Sequence, residues 1–304
     1  MQIHFLGTGA GVPSKNRNVT SVLLDLLQEV NEIWMFDCGE ATQHQILHTS
    51  IRPRKISKIF ITHLHGDHIY GLPGFLSSRS FQGGASPVQI FGPNGLKNYV
   101  QTALKISESK LSYDLEFIEA KEGVLFEDEN FIVHAKELTH GVESYGYIIQ
   151  QKDMPGPLIV EKLIEKGIKP GPIYQEIKEQ ETVTLPNGEI IQTKNFKGAK
   201  KKGKKIAIIG DTKMDDSIIP YIKEADVLVH EATFSKQNQD LAAAYFHSTT
   251  TDAATIAKLA DVKQLILTHI SSRYQDTNIS ELVDEAKEIF NKCIIANDFD
   301  IYKV

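Results

Sequence analysis

A mixed α/β protein is predicted by the way short apolar β-branched runs such as Ile56–Thr62 and Ile206–Ile209 alternate with helical stretches such as Asn94–Ile106 and Thr249–Leu259. The pattern occurs twice, in a longer first half and a shorter second half that rhymes with it, and a stretch of different composition separates them. The 304 residues, 41% hydrophobic and 24% charged, suit one large core with an insertion as well as they suit two domains. No apolar run approaches the ~18–20 residues that span a bilayer, and Met1–Gly11 lacks the charged start and cleavage site of a signal peptide. Membrane and secreted classes are therefore not expected. The two cysteines, Cys38 and Cys293, cannot build a disulfide framework or a thiolate metal knuckle. They suit a reducing, cytoplasmic setting, and any metal has to be held by His and carboxylates.

The first half opens with a strand at Gln2–Leu6, a turn through Gly7, Gly9 and Gly11, and strands at Val19–Leu26 and Ile33–Phe36. A helical stretch near Ala41–Thr49 precedes the Ile56–Thr62 strand. The helix at Asn94–Ile106 and strands at Leu115–Ile118, Phe131–Leu138 and Tyr145–Ile149 complete residues 1–151 as the first half of the core. Residues 206–304 form the second half. Its elements are a strand at Ile206–Ile209, a helix near Asp216–Glu224, a strand at Val227–His230, a helix at Thr249–Leu259, a strand at Leu265–Leu267, a helix near Glu281–Phe290 and a closing strand. Between them, residues 152–205 are rich in Pro, Gly, Lys and Glu. One amphipathic stretch, Leu158–Glu165, and little else to form a core mark this segment as a flexible arm.

Net charge is −6, from 33 basic and 39 acidic side chains, but the charge is uneven. Lys194–Lys205 carries seven lysines and no acid, a block that contacts polyanions in many proteins and is a solvated loop in many others. Lys197, Lys200, Lys201 and Lys202 are the candidate contacts to nucleic acid.

His63, His65, Asp67 and His68 fall within six residues directly after a strand. Imidazole and carboxylate are the ligands zinc takes when thiolates are missing. His140, Asp211 and His269 each stand where an apolar run ends, so strand ends along one sheet edge would bring all seven groups to one rim. Seven ligands exceed one tetrahedral ion and imply two. Singly, Asp211 reads equally well as a helix cap and His140 as a surface turn.

The HxHxDH pattern at 63–68, followed by His140, Asp211 and His269, resembles the metallo-β-lactamase fold superfamily across essentially the whole chain. That resemblance implies a four-layer αββα sandwich with two Zn²⁺ ions per subunit. His63, His65 and His140 would hold one ion, Asp67, His68 and His269 the other, with Asp211 bridging. It leaves the substrate open. Further motifs are similar to the short form of the ribonuclease Z family: Pro13–Asn18 (PSKNRN) matches its PxKxRN loop, His230–Thr233 its HEAT segment, and His247–Thr249 its HST segment. The implied activity is a zinc-dependent endoribonuclease that removes the 3′ trailer of precursor tRNA, leaving a 3′-hydroxyl on the tRNA and a 5′-phosphate on the trailer. It implies a homodimer in which the arm at 152–205 grips the tRNA, and Asp67 as proton acceptor.

The chemistry of the residues agrees. Metal-activated water attacks phosphorus in line, and a second group must protonate the departing 3′ oxygen. His247 has the right chemistry, with Glu231 orienting its ring. By spacing alone, His247 reads more readily as a residue ahead of a helix capped by Ser248 or Thr249, and it is the HST match that favours the catalytic reading. Lys15, Arg17 and Thr233 are the expected substrate contacts at the rim, while His230 reads as structural. Gly198–Lys205 mimics a phosphate-binding loop but has Lys205 where Ser or Thr should hold Mg²⁺. Gly7, Gly9 and Gly11 fail the dinucleotide pattern, since Val12 stands at the next required position. His44 and His48 lack the glutamate of a zinc-protease helix and receive no chemistry. A general phosphodiesterase for small diesters and a non-catalytic RNA-binding metalloprotein are the alternatives.

Overall fold

The computed structural model describes residues 1–274 and 277–304. Two seven-stranded sheets carry the core of residues 1–150 and 205–304. In the first sheet the order is Ile301–Lys303, Gln2–Gly7, Ser21–Leu26, Glu32–Phe36, Ile56–Phe60, Val88–Gly92 and Leu115–Glu119. In the second it is Cys293–Ile295, Leu265–Thr268, Val227–Glu231, Lys205–Ile209, Ser144–Gln151, Phe131–Leu138 and Gly123–Glu127.

The period-2 alternation of the strands explains why the sheets stack. Trp34 and Phe36 point to one side of their strand and join Phe60, Phe91, Phe131, Tyr147 and Val229 in a core drawn from both sheets. Ile33 and Met35 point the other way, into a second core with Phe75 and Leu76 of the helix Leu72–Phe81 and Val100 of Leu96–Ile106. Ala207, Ile209 and Leu228 of the second sheet face a third core with Ala253 and Ala257 of the helix Thr250–Leu259 and Ala286 of Thr277–Lys287. Helices, sheet, sheet, helices is the expected four-layer αββα arrangement.

The strands Lys205–Ile209, Val227–Glu231 and Leu265–Thr268 run parallel, so their carboxyl ends share one edge. Phe131–Leu138 is joined by a short connection to Ser144–Gln151, which runs antiparallel to Lys205–Ile209. Near that edge the two sheets are tied by the Tyr145 N–H, which donates to Thr62 O at 2.9 Å. Gly210 permits the approach: a Cβ there would lie 2.6 Å from Thr62 Cβ.

Several expectations are corrected. The helix near Ala41–Thr49 is only Thr42–Ile46, flanked by turns, and the one near Asp216–Glu224 is a 3₁₀ turn at Asp216–Ile218 followed by Ile219–Ile222. The last helix, Thr277–Lys287, overlaps the expected span but begins and ends a few residues earlier. The helices Leu72–Phe81 and Gln239–Tyr245 and the strands Val88–Gly92 and Gly123–Glu127 were not expected. Pro73 at a first helical turn and Gly74 within a helix hid the first of these.

Residues 151–204 form a separate compact unit, one residue offset from the expected 152–205. Contrary to the expectation of an arm without a core, Leu163, Ile168, Ile177, Val183, Leu185, Ile191 and Phe196 bury one another. They come from the helices Val160–Glu165 and Pro172–Glu179, the hairpin Thr182–Thr184 with Ile190–Gln192 and its connection, the turn after the first helix, and the 3₁₀ turn Thr193–Phe196. One apolar side chain per short element is too sparse to show as periodicity, yet seven such residues close a small core. Lys197 Nζ donates to Gln180 O, and the Lys201 backbone pairs with Met154. Lys200 and Lys202 are exposed.

Candidate metal centre and general-acid site

The strand Ile56–Phe60 delivers His63 and His65 on the loop that follows, and Asp67 and His68 on the short helix Gly66–Ile69. His140 follows Phe131–Leu138, Asp211 follows Lys205–Ile209 and His269 follows Leu265–Thr268. All seven expected ligands converge. His65 Nδ1 lies 3.0 Å from His63 Nε2 and 3.3 Å from His140 Nε2. On the other side, His269 Nε2 lies 3.4 Å from His68 Nε2 and 3.3 Å from Asp67 Oδ2. Asp211 Oδ2 stands between the groups, 3.6 Å from His63 Nε2, 3.5 Å from His68 Nε2 and 3.3 Å from His269 Nε2.

These separations fit metal ions. A tetrahedral ion with bonds of about 2.0–2.1 Å sets its donors about 3.3 Å apart. The tautomers fit as well. Asp37 Oδ2 accepts from His68 Nδ1 at 2.8 Å and from Thr62 Oγ1 at 2.9 Å, so Thr62 Oγ1 is left to accept from His63 Nδ1. Phe246 O accepts from His140 Nδ1 at 2.8 Å. Thr233 Oγ1 donates to Glu231 Oε2 at 2.7 Å and accepts from His269 Nδ1 at 2.9 Å. Each of these imidazoles therefore turns an Nε2 lone pair toward the centre, as a ligand requires.

Charge points the same way. Burial keeps His63 and His65 below their usual pKa and thus neutral. Burial also opposes charge on His68, but Asp211 and Asp37 outweigh it and raise that imidazole well above its usual value. Such a concentration of carboxylate demands a cation, and a divalent ion answers it as a proton does. Burial likewise opposes ionisation of Asp67, yet the contacts from His269 and His68 hold it well below the usual carboxylate range. The Gly11 N–H donates to the same Asp67 Oδ2 at 2.8 Å.

Glu231 ends its strand fully buried. It accepts from the backbone N–H groups of Thr212, Thr233 and Ser248 at 3.2, 3.0 and 3.1 Å, and from His247 Nδ1 at 2.9 Å. Burial lowers the pKa of His247, but Glu231 overrides it and the imidazole is pushed up to about 9. The helix-cap reading of this segment holds, since Thr249 caps the helix Thr250–Leu259 with a reciprocal bond to Asp252, and His247 Nδ1 also lies 3.9 Å from Asp211 Oδ2. His230 is buried, with Nδ1 bonded to the Glu231 carbonyl, in keeping with a structural residue.

Two expected substrate contacts are corrected. Arg17 is only 7% exposed, and its guanidinium donates to Thr8 Oγ1 and Ala296 O at 2.6 Å and to Asn297 Oδ1 at 2.9 Å. Its charge braces the loop instead of facing outward. Thr233 is likewise buried, and its hydroxyl is committed to Glu231 and His269. Lys15 is exposed and lines a cleft of about 930 Å³ with Pro13, Ser14, Tyr274 and Asn297. Asp37 and Thr62, which orient ligands, escaped sequence reasoning; the strand-end position of Asp37 was the available signal.

Two stacked sheets with flanking helices and a His/Asp centre at their strand ends define a metallo-β-lactamase-fold protein. A solved Bacillus subtilis protein of that fold, YhfI, superposes with a TM-score of 0.69 at 18% identity, covering 99% of this chain and 98% of its own. Residues 1–153, which include the His63–His68 loop, match the family described as anti-Pycsar protein Apyc1. Over the full length, ribonuclease Z of Geobacillus kaustophilus is 56% identical across 100% of this chain and 99% of its own. That of Anoxybacillus flavithermus is 57% identical across 100% and 97%. Human short-form tRNase Z superposes with a TM-score of 0.72 at 30% identity, covering 100% and 99%. The chain belongs to the ribonuclease Z family.

Proposed function

We infer that this protein is a metal-dependent endoribonuclease that removes the 3′ trailer of precursor tRNA, leaving a 3′-hydroxyl on the tRNA and a 5′-phosphate on the trailer. The observation that supports this is the convergence of seven His and Asp side chains beside the ion-paired His247 and Glu231 in a chain related to ribonuclease Z over its full length. Two zinc ions per subunit are the cofactor proposed: His63, His65 and His140 would hold one, Asp67, His68 and His269 the other, with Asp211 between. When bound, they supply Lewis-acid stabilisation of phosphate charge and lower the pKa of water.

The chain's own residues provide the remainder. His247, protonated because Glu231 faces its Nδ1, donates a proton from Nε2 to the departing 3′ oxygen. Glu231 holds the ring in position and stabilises its charge. Asp67, kept ionised by His269 and His68, is the acceptor proposed for the proton of the attacking water. Lys15, on the exposed loop beside the cleft, would contact phosphate. Lys197, Lys200, Lys201 and Lys202 of the 151–204 unit would contact tRNA. A homodimer working in the cytoplasm is the further proposal. Among the described residues no helix is long and apolar enough to cross a membrane.

The test is incubation of the zinc-loaded protein with a precursor tRNA bearing a 3′ trailer, with the cut mapped at single-nucleotide resolution beside a chelator-treated control. A chelator-sensitive cut just after the discriminator base is expected. No cut, with a small phosphodiester still hydrolysed, overturns the tRNA reading in favour of a general phosphodiesterase.

A further inference from the structure

Phe246 is placed where its backbone and its side chain answer to different needs. Its carbonyl accepts from His140 Nδ1 at 2.8 Å, and its φ of 57° closes the helix Gln239–Tyr245 in the left-handed region. That conformation favours glycine, which would offer the same carbonyl without strain. The phenyl ring is therefore not explained by the helix end. It is not explained by core packing either, since Phe246 is 40% exposed and Tyr245 before it 62% exposed.

The ring borders the catalytic groups. His247 follows it in the chain, and the Phe246 Cδ2 edge lies 4.0 Å from where a Cβ on Gly141 would stand, next to His140. Residue 141, being glycine, brings no side chain to cover the ring. Lys213 Nζ lies 5.8 Å from the ring centroid, on the segment just after Asp211. A part-exposed aromatic ring beside an exposed lysine is a pairing with which proteins hold single-stranded RNA, with the base on the ring and the phosphate on the lysine.

We propose that Phe246 is a stacking platform for an unpaired nucleobase flanking the cleaved phosphodiester, with Lys213 meeting the adjoining phosphate. This rests on the RNA-cleaving reading above. It makes Phe246 a substrate-binding residue whose stacking helps aim the scissile bond at His247.

The test compares F246L, F246Y and F246W holoenzymes on precursor tRNA, with kcat and KM measured separately and bound metal quantified. Stacking on an aromatic predicts that F246L raises KM about tenfold with a smaller change in kcat, while F246Y and F246W stay near the wild-type KM. The only native tryptophan, Trp34, is fully buried, so F246W adds one exposed reporter whose emission a single-stranded trailer oligonucleotide should quench. Equal KM values for F246L and wild type, no quenching, or loss of bound metal in F246L would overturn the proposal, the last by making the role structural. Wild-type protein that leaves precursor tRNA uncut sinks the functional reading instead, so the two failures are distinguishable.

Discussion

His247 Nδ1 lies 2.9 Å from Oε1 of Glu231, a carboxylate with no exposed surface that also accepts three backbone N–H groups. A carboxylate so fully hydrogen-bonded stays ionised, and it turns the neighbouring imidazole into a persistent cation. The charge on His247 is thus set by a residue sixteen positions away in sequence. Removing either partner should have distinct effects.

Replacing His247 with Ala should lower cleavage of precursor tRNA by roughly 10²–10⁴-fold, the usual worth of a general acid. RNA binding and metal content should be retained. Gel-shift titration and metal analysis beside single-turnover cleavage check this, and full activity in the variant would remove His247 from the mechanism.

The His247–Glu231 pair also predicts a pH dependence of stability in the metal-free protein. The folded pKa of about 9 exceeds the unfolded value of 6.5, so the pair's stabilisation is complete below about pH 6.5 and disappears as pH rises through about 9. Thermal melts of chelated protein across that window should show the decline, and E231Q should abolish this component. A melting temperature flat in pH, or an identical slope in E231Q, would contradict it.

Asp37 acts on the centre through His68. Its Oδ2 fixes the His68 tautomer from 2.8 Å, and its Oδ1 accepts the Thr62 N–H at 2.7 Å. D37A should weaken metal binding about 10–100-fold. Competition against a chromogenic chelator measures this, and an unchanged metal affinity would show that ring orientation is set elsewhere.

Metal binding should be visible as stability. An ion that binds only the folded chain, at 100 times its dissociation constant, adds about 2.7 kcal/mol. Chelation should therefore lower the melting temperature, with re-addition of zinc restoring it. A melt indifferent to chelator would argue against a resident ion.

Alanine at Lys200, Lys201 and Lys202 should weaken tRNA binding at low salt and flatten its salt dependence. Loss of three phosphate contacts changes the log–log slope by about 2–3. Filter-binding titrations over a salt series read that slope directly, and an unaltered slope would mean that these lysines are a solvated surface.

How much was legible in the sequence can be argued from particular residues. The convergence of seven His and Asp side chains was readable because His63, His140, Asp211 and His269 each stand near the end of an apolar run, and strand order along parallel sheets carries such ends to one edge. The helix at Leu72–Phe81 was not, because proline and glycine at its start imitate a turn. Arg17 and Thr233 were misread for a different reason: a polar residue in a loop near a site looks the same in sequence whether it faces substrate or braces the scaffold.

The sequence by itself determined the alternation of strands and helices and the His and Asp side chains available to a metal, since local periodicity and the choice of side-chain chemistry are properties of the chain; the αββα layering and the roles of His247 and Glu231 were implied by the resemblance of its motifs. Only tertiary structure decided that Asp37 and Thr62 orient the histidines, that Arg17 braces its loop, and that seven scattered apolar residues close a core within 151–204. Those outcomes depend on groups distant in the chain meeting at about 3 Å, and hydrogen-bond satisfaction of that kind is set by packing, which no local pattern records.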